Sequence, residues 1–402
     1  MTVAARTRAQ AERVGLLATL YFAQGLPFGL FSQALPILMR EEGQSLAAIG
    51  FANLINFPWA IKFLWAPAID RVPGPRKRVV VPLNLVAAGL LFVVSQVTPG
   101  ALTALLTVVL FCNLVSATQD IATDGFAVEL LPPADRGLGN GVQVAGYRVG
   151  MIVGGGVLLA LFPTLGWQRT FALAGTIVAV ATLPMLLAAP VPRQLPAQRA
   201  KLGDVLFHRW FAEPGAQRWF WLLVLFKFGD AFGTGMVKPL LVDLGMGKAE
   251  IGTLLGVGGS VAAVIGAAFG GWATGRFGRR TCLLAFGGAQ AVTLAMYVGV
   301  ASEGAEWVTL AVIAEHLFSG MATATLFTAM MDATRPAHAG VDYAVQASVP
   351  VIAAGAASVA SGISADALGY PAHFSLSVVL ALMPLWLVAT WPARAPERFR
   401  LR

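Results

Sequence analysis

The feature that most constrains this chain is an apolar run, about 20 residues long, that recurs along its whole length. Twelve such runs lie near residues 14–39, 47–69, 79–98, 101–131, 140–163, 169–190, 218–243, 249–274, 281–301, 306–331, 342–368 and 372–392. As helices rising about 1.5 Å per residue, each is long enough to cross the hydrocarbon layer of a bilayer. The runs are too long, and too free of two-residue alternation, to be barrel strands. Of the 402 residues, 12% are charged and 57% hydrophobic, whereas soluble proteins carry roughly 25% charged residues. So few charges cannot coat a water-soluble surface of this size. The fold class expected is an all-α membrane protein with twelve transmembrane helices. The 44 glycines and 23 prolines are compatible with membrane helices, which tolerate both.

The net charge of +8 does not point to nucleic acid, because the cations sit in short loops and no polar domain exists to hold a basic groove. Cys112 and Cys282 both fall inside apolar runs and read as small buried hydrophobes, with no disulfide framework. His208, His316, His338 and His373 are scattered, so no metal is expected. The first thirteen residues are polar and basic, and the run from Val14 to Met39 is long for a signal-peptide core; it is expected to stay as the first span. With the N-terminus inside, twenty-one of the 28 Lys and Arg fall in cytoplasmic segments. Only Arg40, Arg169 and Lys248 fall outside, and Lys62, Arg148, Lys227 and Lys238 lie within spans. That bias fits the positive-inside rule and places both termini in the cytoplasm.

The longest polar stretch, 191–217, reads as a cytoplasmic linker between an N-terminal half (1–190) and a C-terminal half (218–402). The halves resemble each other. At an offset of 203, Glu129 meets Asp332, Pro133 meets Pro336, Gly137 meets Gly340 and Gln143 meets Gln346. At an offset of 202, Ile49-Gly50 matches Ile251-Gly252. A basic turn follows the second span of each half: Asp70-Arg71 with Arg76-Lys77-Arg78, and Gly275-Arg276-Phe277-Gly278-Arg279-Arg280. A six-plus-six repeat of this kind resembles the major facilitator superfamily. The second turn resembles that superfamily's loop signature G-x-x-x-D-R-x-G-R-R, with Gly275 where the acid would stand. The resemblance implies gating roles for Asp70, Arg71, Arg276, Arg279 and Arg280; as simple topology signals the same cations obey the positive-inside rule, and the two readings are compatible.

Four stretches narrow the likeness: Tyr21–Pro27 (YFAQGLP), Ile61–Arg71 (IKFLWAPAIDR), Ser116–Leu131 (SATQDIATDGFAVELL) and Arg136–Gly154 (RGLGNGVQVAGYRVGMIVG). Together they resemble the AmpG-like permeases, a group that includes muropeptide permeases, acetyl-CoA transporters and siderophore transporters. The compact length, Ala34-Leu35-Pro36 and Asp342–Gln346 look like the siderophore branch. The resemblance implies a monomeric secondary transporter of the inner membrane, working by alternating access and coupled to protons. It would import a bulky organic solute, an iron-siderophore first and an anhydromuropeptide as the alternative. A non-transporting sensor on the same fold is the alternative of another class. No cofactor is expected: there is no Walker motif, and Gly137-Leu138-Gly139-Asn140-Gly141 opens a membrane helix rather than following a strand. No enzyme is expected either, since no nucleophile–base pair recurs at helical spacing.

Ionisable groups inside a membrane cost roughly 2.5–3.5 kcal/mol at a helix centre and mark sites or partners. Asn113, Ser116, Asp120 and Asp124 are spaced three, four and four apart, on one helix face. Lys62, Asp124 and Arg148 each lie eight residues inside their spans, ~12 Å deep. Equal depth predicts one buried cluster, either a substrate or proton site or a static ion network. Lys227 and Asp230, three apart, can simply neutralise each other. In the superfamily, spans one, four, seven and ten line the cavity, which implies that Lys238, Glu315 and His316 face solute; a lone histidine is more often structural. Gln24 and Gln33 are candidate hydrogen-bond partners on span one.

Overall fold

The computed structural model describes residues 3–34, 57–97, 101–191, 213–392 and 399–401. Most of the 191–217 linker, Arg40, Ile49-Gly50, Leu35-Pro36 and the side chain of Gln33 lie outside the described residues. Among the described residues the regular structure is entirely helical. Nine helices of the described residues are long and apolar enough to cross a membrane. Two of them, 136–187 and 336–389, pass through a glycine of positive φ, Gly166 (70°) and Gly369 (75°), and divide there into two spans each. Among the described residues that makes eleven, and the broken helix at 57–70, within the second predicted span, stands for the twelfth. The outward faces are apolar. Phe111, Ile265, Trp272, Ile363 and Trp386 each expose half or more of their surface, a pattern that only lipid accommodates in a chain this size.

The chain packs as two compact units. One holds the described residues of Met1–Pro132, Gly146–Leu202 and Arg335–Ala344; the other holds those of Pro133–Ala145, Gly203–Thr334 and Val345–Arg402.

In the first unit, α1 (Val3–Gly29) runs on as a π-turn through Ala34. Leu17, Leu20, Tyr21, Ala23, Leu26 and Leu30 are buried along its inner face, at helical spacing. The second span is broken. It comprises α2 (Phe57–Ile61), a 3₁₀ turn at Lys62–Leu64 and α3 (Ala66–Asp70), with Pro67 at the start of α3. Proline has no N–H to return to the carbonyl of Phe63, so the helix tightens just before it. Apolar length predicts one continuous run for this span; the break puts Lys62 on the 3₁₀ turn. Next come α4 (Lys77–Gln96), α5 (Leu102–Leu130), α6 (Arg136–Ile152), whose residues through Ala145 belong to the second unit, and α7 (Leu158–Leu187). Leu26, Phe31, Leu91, Val109, Phe171 and Val178 share one core.

The crossing of α1 on α6 is close enough to exclude side chains. A Cβ at Gly25 would lie 2.0 Å from the Tyr147 carbonyl oxygen, and one at Gly150 would lie 2.3 Å from that of Phe22. Helices in lipid associate through such small-residue faces rather than by hydrophobic exclusion.

The second unit is built from α8 (Ala216–Thr234), α9 (Val237–Asp243), α10 (Lys248–Ile251) with the π-helical turns after it, α11 (Ser260–Phe277), α12 (Arg279–Glu303), α13 (Val308–Asp332) and α14 (Ala339–Ala389). The first turns of α14, through Ala344, belong to the first unit. The core here gathers Leu240, Leu241, Leu294, Tyr297, Val312 and Phe374.

Candidate functional site

The polar stripe of α5 is turned inward. Asn113, Ser116, Asp120 and Asp124 are 3%, 8%, 7% and 2% exposed, as their spacing on one face requires. Lys62 reaches them from the 3₁₀ turn of the second span. Its ammonium is paired with Asp120 Oδ2 and lies 3.8 Å from Asp124 Oδ2. The ammonium also stands 5.7 Å from the centre of the Trp59 ring, within cation–π range. Equal depth predicts Lys62 against Asp124, with Asp120 one turn off. The structure makes Asp120 the direct partner and Asp124 the second carboxylate.

Asp124 is held from the other side. The Tyr21 hydroxyl on α1 donates to Asp124 Oδ1 at 2.9 Å. One turn along α1, Gln24 Nε2 donates to Gln119 Oε1 at 2.6 Å, and Gln119 Nε2 donates to Thr123 Oγ1 at 2.7 Å. Trp59 Nε1 donates to Asn113 Oδ1 at 3.1 Å. Three helical segments therefore meet in one buried network of two carboxylates and one ammonium. With both acids ionised, these three groups carry one excess negative charge. Arg148 is half-buried on α6. Tyr21 and Gln119 escaped the sequence reading: a tyrosine in an apolar span reads as packing, and its partner is 103 residues away.

The basic turns form a second set. Asp70 is 1% exposed and paired with Arg76 Nη2 at 2.6 Å. It also accepts the backbone N–H of Gly340 at 3.2 Å and of Val341 at 2.8 Å, at the amino end of α14. A carboxylate is well placed there, because the first N–H groups of a helix lack intrahelical partners. Arg76 Nε also reaches Glu129 at 3.1 Å. At the offset of 203, Arg279 Nε reaches Asp332 at 2.7 Å, and Arg136 takes the other oxygen of Asp332 at 2.9 Å. Gly275 stands in place of the acid of the loop signature; it is exposed, and a Cβ on it would meet only the Ala134 carbonyl oxygen, at 3.9 Å. A Cβ at Gly137, the counterpart of Gly340, would lie 2.5 Å from the Gly271 carbonyl and 2.8 Å from the Gly275 nitrogen. Arg71 and Arg276 are exposed, and Arg280 donates to the Ala389 carbonyl at 2.6 Å.

The other candidates lie in the second unit. Lys227 is bonded to Asp230 at 3.2 Å and to Thr323 Oγ1 at 2.9 Å. Glu315 is 4% exposed and lies 2.7 Å from Nδ1 of its neighbour His316. The His316 ring packs where a Cβ on Gly259 would stand, so these two form a local pair. Lys238 is exposed on α9.

A family model described as Major Facilitator Superfamily matches residues 17–357. The chain belongs to the major facilitator superfamily. The anhydromuropeptide permease of Escherichia coli (strain K12) is 30% identical over 398 residues, covering 94% of this chain and 79% of that protein. A protein named putative transporter AmpG 4 from Rickettsia felis is 23% identical over 385 residues, covering 90% of this chain and 92% of its own length. Within the superfamily, then, the chain is an AmpG-like permease. The human organic anion transporter MFSD10 superposes with a TM-score of 0.77 at 14% identity, over 94% of this permease and 99% of that chain. The fucose:proton symporter FucP of E. coli does so at 0.73 and 14%, over 94% and 97%. At such identities the likeness is one of fold alone.

Proposed function

We propose that this permease is a proton-coupled importer of the bacterial inner membrane, both termini cytoplasmic, that carries an anhydromuropeptide or a closely related fragment. The observation that carries the coupling is the buried group Lys62, Asp120, Asp124 and Tyr21. Two carboxylates beside one ammonium leave a negative charge that is costly at low dielectric. A proton, or a cationic group on the solute, cancels it. Taking and releasing that proton on opposite sides of the membrane couples the site to the gradient. Tyr21 holds Asp124 while its charge changes, and the Gln24–Gln119–Thr123 chain ties α1 to α5 beside it. Arg148, at similar depth, is proposed as a further positive charge acting on the same carboxylates.

The two sequence halves are proposed to rock about this level in alternating access. The Asp70 grip on the amino end of α14, and the Arg279–Asp332–Arg136 group, are proposed as gate contacts made in one state and released in the other. The solute follows from the relatives. The match to an anhydromuropeptide permease, over 94% of this chain and 79% of that protein, favours the reading that the sequence placed second. The siderophore reading rested on compact length and short motifs, and no named relative supports it. The test is uptake of labelled anhydromuropeptide by a deletion strain carrying the gene or an empty vector. Uptake restored only by the gene is expected; equal uptake in both overturns the assignment.

A further inference from the structure

The second unit holds a charge pair that the coupling site does not use. Lys227 is eleven residues into α8, Gln290 eleven residues into α12, and Thr323 nine residues from the end of α13. At about 1.5 Å per residue, all three lie roughly 14–17 Å along their helices, near mid-bilayer. Lys227 Nζ donates to Asp230 Oδ2 at 3.2 Å and to Thr323 Oγ1 at 2.9 Å; Gln290 Nε2 donates to Asp230 Oδ1 at 2.5 Å.

Two features separate this pair from a static neutralised one. The first is access. The Lys227 and Asp230 side chains are 18% and 13% exposed, against 5% for Lys62. An accessible ammonium at this depth is costly against hydrocarbon, so its open side belongs on a water-lined path. The second is hydrogen-bond bookkeeping. An ammonium has three protons to donate. Asp230 and Thr323 take two, and the third has no acceptor among the described residues. Asp230 is meanwhile held by Gln290 as well. If the ammonium turns toward an incoming anion, the carboxylate it leaves is not stranded.

We infer that Lys227 is the receptor for a carboxylate of the transported solute, oriented by Thr323, with Asp230 and Gln290 holding the ammonium in place before the solute arrives. The inference deepens the proposed function and rests on the transporter reading. A single ammonium with one open proton suits a monodentate carboxylate, as a peptide-bearing solute presents.

The test uses the full-length protein in proteoliposomes and two solutes: an anhydromuropeptide, and the same molecule with its peptide carboxylates amidated. Lys227→Gln should lower the ratio of kcat/KM for acid over amide by roughly 10–100-fold, the worth of a charged hydrogen bond. Lys227→Arg should keep most of the ratio. An unchanged ratio in folded Lys227→Gln overturns the inference. If Lys227→Gln does not fold, Thr323→Val reads the same ratio with the ion pair whole: a fall supports the inference, no change overturns it. A wild-type protein that carries neither solute overturns the muropeptide reading instead. Lys227 is then decided by thermal unfolding in detergent with N-acetyl-alanyl-glutamate as the carboxylate probe. Stabilisation of the wild type that Lys227→Gln loses supports the inference; equal or absent stabilisation overturns it.

Discussion

At the scale of single residues, the pairing pattern separates coupling from scaffolding. Asp124→Asn leaves the Lys62–Asp120 pair whole, so the protein should reach the membrane and unfold near the wild-type temperature while uptake is abolished. Lys62→Gln leaves two carboxylates together without their cation. It should destabilise by about 3–5 kcal/mol, the cost of breaking a buried pair. Adding Asp120→Asn should restore the thermal unfolding temperature without restoring uptake. Recovery of uptake as well would make the group a scaffold. The three-four-four spacing on α5 was legible because burial follows helix phase directly. The choice of Asp120 over Asp124 was not, since equal depth fixes the height of a residue but not its direction around the helix.

At the scale of elements, proline and glycine decide where the side chains arrive. The break before Pro67 puts Lys62 on a 3₁₀ turn. Pro67→Ala should let the second span run on as a regular helix and turn the ammonium from Asp120. The expected outcome is folded protein with uptake reduced at least tenfold, read by transport beside circular dichroism; wild-type uptake would show the break to be incidental. Glycines make a sharper contrast. Gly150→Ala drives a Cβ into the Phe22 carbonyl and should destabilise by about 1–3 kcal/mol, as overpacking does. Gly89→Ala on α4 meets nothing within 4 Å and should be neutral, or stabilise by up to about 1 kcal/mol through helix propensity. Thermal unfolding of the two variants checks both. The sequence shows where glycines fall, but not which helix each one faces. Phe22–Gly29 and Phe226–Gly233 share the frame Phe-x-x-Gly-x-x-Phe-Gly, yet Gly25 packs on the backbone of Tyr147 and Gly229 on that of Ala381.

At the scale of the whole molecule, the internal repeat read from the sequence can be followed into the ion pairs. The alignment of Glu129 with Asp332 carries over to their partners, because Arg76 and Arg279 stand at the same offset and each closes on its own acid. The spans themselves were readable from apolar length, since lipid requires it of any helix that crosses. Nothing in the packing explains the exception in the repeat, Gly275 for the acid, since a side chain there would meet only the Ala134 carbonyl oxygen at 3.9 Å. The claim that draws these scales together is that a proton on the Asp120–Asp124 pair is coupled to solute movement. The most direct measurement is anhydromuropeptide uptake into proteoliposomes, with and without an imposed inward proton gradient, for wild type and Asp124→Asn. Gradient-driven accumulation by the wild type, and no response to the gradient in Asp124→Asn, is the predicted result. Uptake by the wild type that ignores the gradient, or a gradient response that survives in Asp124→Asn, would contradict it.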